Sequence, residues 1–194
     1  MSENPSVDNQ IIVEIGPKTF PIEYYLGWDS FKKYISGSTY IAIDCDPKLL
    51  NEFKERFKRK AVAGSLSQLP LENNSVSQIW LMSVYGDYQY HPMILPDGTE
   101  GTIVDDFKEL SRVVKKDGKI YIGELLAPAG WNEPEWLIGL DYSDYGLEKK
   151  VYKGPEEIIS FLEKTAGGPI GTMASILREG DPEHAPFLIE LTKK

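Results

Sequence analysis

Short β-branched runs alternate with segments of helical periodicity along this chain, and that alternation limits the fold more than any other feature. Ile11-Ile12-Val13-Glu14-Ile15 reads as a buried strand stopped by Gly16-Pro17. Tyr40-Ile41-Ala42-Ile43 is a second strand, closing on Asp44-Cys45-Asp46. Ala61-Val62-Ala63 and Gln78-Ile79-Trp80-Leu81-Met82 are a third and a fourth, and residues 119–126 a fifth. Residues 173–177 and 186–191 are expected as closing strands. Between them lie helices: one or two turns over 31–35, then segments starting after Asp46, over 102–116 and over 155–164. Strands alternating with helices imply a parallel sheet covered on both faces, and right-handed crossovers make it doubly wound.

The helix after Asp46 has the strongest start signal. Asp46 is a good N-cap, Pro47 suits the first helical position, and Leu49, Leu50, Phe53 and Phe57 share one face. The basic group Lys58-Arg59-Lys60 at its far end complements the helix dipole, a better account than a nucleic-acid patch. Asp117-Gly118 marks the end of the 102–116 helix. Two irregular stretches, 83–101 and 127–154, follow strands, and ligands of open α/β sheets bind outside the carboxyl ends of strands.

Composition enters as exclusion. One cysteine permits no intrachain disulfide and no four-cysteine zinc module, and two histidines leave little for a metal site, so none is expected. With 30 Asp and Glu against 21 Lys and Arg, the net charge of -9 disfavours nucleic acid as a partner. No export signal or long apolar run is seen, so a cytoplasmic, acidic protein without membrane association is expected. Residues 1–10 read as a flexible N-terminal segment and 11–194 as one domain.

Gly16 lets backbone approach a ligand, although one glycine satisfies neither a dinucleotide fingerprint nor a P-loop. Asp44, at the tip of the second strand, is placed to accept from both hydroxyls of a ribose, whereas Asp46 is accounted for by its cap. At these residues the sequence resembles the class I S-adenosylmethionine-dependent methyltransferases. Val13-Glu14-Ile15-Gly16-Pro17 is similar to the family's first motif and Ile41-Ala42-Ile43-Asp44 to its second. The segments 64–75 and 107–118 resemble the stretch past the adenine and the helix and turn before strand five.

The resemblance implies a seven-stranded, mostly parallel Rossmann-like sheet in three α/β/α layers, with the seventh strand antiparallel. It implies S-adenosylmethionine as cofactor, held by Glu14, Gly16, Pro17, Lys18, Asp44, Cys45, Ser65, Leu66 and Ser83. The expected activity is methyl transfer to a small molecule or a protein side chain. Asp87 and His91 are candidate bases, and Tyr85, with Tyr88 and Tyr90, could wall the acceptor. Trp131, Trp136, Tyr142 and Tyr145 form either a lid over an apolar acceptor or a protein interface.

Three positions depart from the family pattern. Lys18 replaces a second glycine, Ser65 an acid that accepts from the adenine amino group, and Ser77 an aspartate. They support an alternative, a catalytically inactive methyltransferase-like domain that binds a ligand or partner.

Overall fold

The computed structural model describes residues 10–17, 21–85, 103–125, 136–180 and 186–194. One sheet organises them: β1 (Ile11–Ile15), β2 (Thr39–Asp44), β3 (Ala61–Ala63), β4 (Val76–Met82), β5 (Val114–Glu124), β6 (Leu147–Lys153) and β7 (Phe187–Lys193). Their order across it is β3-β2-β1-β4-β5-β7-β6. The pairs from β3 to β5 are parallel, and β7 runs antiparallel between β5 and β6. The expected seven-stranded doubly wound sheet is therefore present.

The helices are α1 (Ile22–Leu26), α2 (Trp28–Tyr34), α3 (Pro47–Phe57), α4 (Ile103–Val113), α5 (Trp136–Gly139), α6 (Gly154–Ala166) and α7 (Thr172–Glu179), with a 3-10 turn over Ser143–Tyr145. Alternation along β4 divides the core, because successive side chains point to opposite faces. Trp80 and Met82 pack with Phe31, Phe53, Leu162 and Met173 under α1, α2, α3, α6 and α7. Ile79 and Leu81 pack with Phe107, Leu110, Leu137 and Tyr142 on the other face.

Several boundaries move. Residues 173–177 form helix α7 rather than a strand, with Met173, Ala174 and Leu177 buried on one side at helical spacing. The stretch 127–154 is not structureless where it is described, since it holds α5, the 3-10 turn and β6. Strand β6 (LEKKVYK) is an outer strand paired only through β7, and its charged positions disguise it in the sequence. Helix α4 ends at Val113 and β5 begins at once. The register passes from Val76↔Val114 to Gln78↔Lys119, so Lys115 to Gly118 loop out, with Asp117 at φ 60°.

Asp46 caps α3 as expected, accepting from the N–H groups of Lys48 at 2.8 Å and Leu49 at 3.4 Å. Lys58 ends that helix in the left-handed region. Arg59 is not part of an open basic patch. Its guanidinium pairs with Glu23 and lies over the rings of Phe31, Trp28 and Tyr40.

Candidate active site

Parallel strands deliver the first residue after each strand to one edge of the sheet. Gly16 follows β1, Cys45 follows β2, Gly64 follows β3, Ser83 follows β4 and Leu125 follows β5. Backbone bonds tie this edge together. Gly16 N–H donates to Ile43 O at 2.8 Å, Gly64 N–H to Asp44 O at 3.1 Å, and Ser83 N–H to Gly123 O at 2.7 Å. The predicted groups Gly16, Asp44, Ser65 and Ser83 are thus brought onto one surface.

Gly16 adopts φ 65°, and a Cβ there would meet Val84 Cγ2 at 3.1 Å, so the turn needs a residue without a side chain. Pro17 continues the loop. The far end of that loop is fixed by Glu14. Its Oε1 accepts from Ile22 N–H at 2.6 Å, at the start of α1, and its Oε2 accepts from the Tyr40 hydroxyl. Glu14 is 1% exposed, and burial pushes its carboxyl up to about 8. It therefore ties β1 to the start of α1 and to Tyr40 of β2, two residues before Gly16. Lys18 lies outside the described residues.

Asp44 is 5% exposed at the tip of β2, and its Oδ1 accepts from Asp46 N–H at 2.9 Å. A buried carboxylate is costly unless polar partners surround it. Its place beside Gly16 and Gly64 matches a carboxylate that receives a ligand's hydroxyls. Cys45 is exposed next to it. Ser65 accepts from Ser67 N–H at 3.3 Å, and Leu66 is in the core, 2% exposed. The residues between β3 and β4 form no helix. Helix α4 holds them instead: Arg112 donates to Leu69 O at 3.1 Å, Leu71 O at 2.9 Å and Asn73 Oδ1 at 2.5 Å, while Glu109 accepts from Leu69 N–H at 2.7 Å.

Beyond β4, Ser83 stands at φ 54°, an uncommon conformation for serine. The Tyr25 hydroxyl bonds the Ser83 side chain. Burial first, and then the charges of Glu124 and Glu14, push Tyr25 up to about 12. Tyr85 donates its N–H to Glu124 Oε1 at 3.1 Å, and its fully buried ring stacks on Phe107 and meets Trp136 edge-on. Asp87, Tyr88, Tyr90, His91 and Trp131 lie outside the described residues. Tyr142 and Tyr145 pack on Phe107, so they and Trp136 belong to the core layer under the site, not to a free lid.

Sequence reading missed three groups here: Tyr25, Glu124 and Asp106. Glu124 is 6% exposed and Asp106 is fully buried. The signal for Glu124 was its position at the end of a strand next to β4. For Asp106 there was none, because its partner, Ser67, is 39 residues away. Among the described residues no cluster of three or more His, Cys, Asp or Glu could hold a metal ion.

The set fits an adenosyl cofactor on this structure's own terms. A buried carboxylate stands at the tip of β2, a tight glycine turn at positive φ at the tip of β1, and a fixed backbone segment after β3.

Comparison with known proteins agrees. A family model described as a methyltransferase domain matches residues 26–122. A TehB-like SAM-dependent methyltransferase from Corynebacterium glutamicum superposes with a TM-score of 0.53 at 19% identity, covering 96% of this chain and 80% of that one. A putative sarcosine dimethylglycine methyltransferase from Galdieria sulphuraria gives 0.53 at 15% identity, covering 96% and 79%. The geranyl diphosphate C-methyltransferase of Streptomyces coelicolor, solved with S-adenosyl-L-homocysteine, gives 0.54 at 13% identity, covering 95% and 70%. Among curated protein sequences nothing matches.

Proposed function

The chain belongs to the class I S-adenosylmethionine-dependent methyltransferase family, and on that premise we propose that it transfers a methyl group from this cofactor to a small molecule or a protein side chain. When bound, S-adenosylmethionine supplies a methyl group on a sulfonium, ready for in-line displacement. The observation that carries the reading is Asp44, a buried carboxylate at the tip of β2 beside the Gly16 turn.

In this reading Asp44 accepts from the ribose hydroxyls. The Gly16-Pro17 turn offers backbone to the methionine end, with β1 tied to the start of α1 by Glu14. Ser65 and Leu66 border the adenine, and Cys45 stands beside it. Ser83 meets the cofactor beyond β4, with the buried Tyr25, Tyr85 and Glu124 packed beneath it as support. Holding the acceptor in line supplies much of the acceleration, since alignment alone lowers such barriers by several kcal/mol, roughly 7–11 at best. Where the acceptor must shed a proton, Asp87 or His91 is the base.

The net charge of -9 argues against nucleic acid as acceptor. Among the described residues no helix is long and apolar enough to cross a membrane. A reducing cytoplasm suits the exposed thiol of Cys45.

Calorimetric titration with S-adenosylhomocysteine tests the reading. The wild type is expected to bind below millimolar concentration, and Asp44→Ala to bind about 10–100-fold more weakly, the value of hydrogen bonds to a charged group. No heat from the wild type at millimolar ligand overturns it.

A further inference from the structure

Few large apolar side chains of this chain meet solvent. Among the described residues the exposed ones are Tyr24, Trp28 and Val104, and the first two, 45% and 49% exposed, line one cleft. The cleft holds about 540 Å³ between α1, α2, the end of α3 and the start of α7. Phe57 and Ile176, packed against the core, line it as well. It shares no residue with the strand ends that carry Gly16, Asp44, Ser65 and Ser83.

Trp28 is held in place although half of it meets water. Lys32 Nζ stands 4.8 Å from its ring centroid and the Arg59 guanidinium 5.3 Å. Arg59 is in turn fixed by its ion pair with Glu23 and by the rings of Phe31 and Tyr40. A rigid, exposed tryptophan gives the fold little, since an aromatic ring stabilises through burial. It gives a partner an anchor that loses little freedom on contact. Tryptophan, tyrosine and arginine dominate binding energy at protein interfaces, and Trp28, Tyr24 and Arg56 share this cleft.

Shape and charge decide the kind of occupant. The volume falls within the roughly 300–1,000 Å³ of small-molecule sites, but those enclose most of their ligand. Here a Cβ built on Gly27 or Gly171, both in the lining, meets nothing within 4 Å, so the cleft stays open at both. That suits a polypeptide segment running on past the cleft. As to charge, Glu23 is neutralised by Arg59. Arg56 lies over Phe57 and Lys32 over Trp28, and neither enters an ion pair among the described residues. Lys33 Nζ reaches the Gly167 turn, two residues before Pro169 of the lining. Against these three cations stands Asp29, the other acid of the lining. The rim is basic in a chain whose net charge is -9.

We propose that this cleft docks an acidic segment of a partner protein. An aromatic or leucine side chain of that segment sits against Trp28 and Tyr24, and flanking carboxylates meet Arg56 and Lys32. The proposal does not depend on the adenosyl reading of the strand ends.

The probe is a library of short random peptides displayed on phage and selected on the whole chain. Enriched sequences are then synthesised and titrated by calorimetry. Peptides with an apolar anchor between aspartates or glutamates are expected, with affinity that falls as salt is added. Trp28→Ala should weaken them about 30-fold, the value of an interface hot spot. Arg56→Glu should weaken them about tenfold by reversing the charge of the rim. Thermal unfolding reads whether each variant is folded, and Tyr24→Ala repeats the comparison should Trp28→Ala fail to fold. No enrichment, enriched sequences without acidic residues, or affinity unchanged in the folded variants overturns the proposal. Self-association that Trp28→Ala abolishes assigns the cleft to a second copy and also overturns it. So does peptide binding that appears only once residues 1–9 are deleted.

Discussion

The two faces of the sheet are sealed by different means. Under α1, α2, α3, α6 and α7 the cover is side-chain packing, with Trp80 at its centre against the rings of Tyr34 and Tyr121. On the opposite face α4 is the only described helix longer than one turn, and the crossover from β3 to β4 has none. Its backbone groups are met by Arg112, Glu109 and the carbonyls of Arg112 and Val113. A coil against a sheet must still satisfy its N–H and C=O groups, and here side chains from one helix do so. The helical face supplies stability. The clamped face holds an extended segment in one conformation beside the carboxyl ends of the strands, with the Ser67–Asp106 bond in the same clamp.

The largest effect that separates the faces is expected from Trp80→Ala. Loss of this fully buried ring should cost about 3–5 kcal/mol in chemical denaturation while S-adenosylhomocysteine affinity stays near wild type. A matching loss of affinity in the folded variant would break the division. Arg112→Ala comes next, at roughly 2–4 kcal/mol, because the carbonyls of Leu69 and Leu71 lose their donor. Unlike Trp80→Ala it should also weaken S-adenosylhomocysteine about tenfold, the equivalent of 1.4 kcal/mol.

The smallest of the three effects concerns Glu14, whose carboxyl lies on the helical face yet anchors the Gly16 loop. Its folded value of about 8 lies above the ordinary 4.5 of an unfolded chain. Between those values the folded state holds the extra proton, so stability is highest below 4.5 and is lost as pH rises through 8. Wild-type stability should fall by roughly 2 kcal/mol from pH 6 to pH 8. Glu14→Gln should flatten that slope, as read by denaturation at each pH. An unchanged slope would place the titrating group elsewhere.

Elements whose stability is local were legible in the sequence. The β-branched runs of β1 and β2, the apolar run of β4 and the capped start of α3 state their own structure. So were Gly16 and Asp44, because a strand end is a sequence feature. Strand β6 was not legible. Lys149 and Lys150 sit within it, and its pairing with β7 joins residues some forty positions apart. Helix α7 was mistaken because Met173 to Leu177 is a short apolar run, and length alone could not separate strand from helix. Asp106 and Glu124 acquire meaning only through contacts with Ser67 and Tyr85, each 39 residues away.

The order β5-β7-β6 also bears on how the chain assembles. Strand β6 is made before β7, yet it touches the sheet only through β7. Until residues 187–193 have left the ribosome, β5 has an open edge and β6 has no neighbour in the sheet. Joining the two strands is thus a late, long-range step, slowed by the loop that must close first. The edge of β5 that waits for it carries Glu124 at its tip, opposite Phe187, so the carboxylate that holds Tyr85 N–H is flanked by a strand only when the sheet is finished.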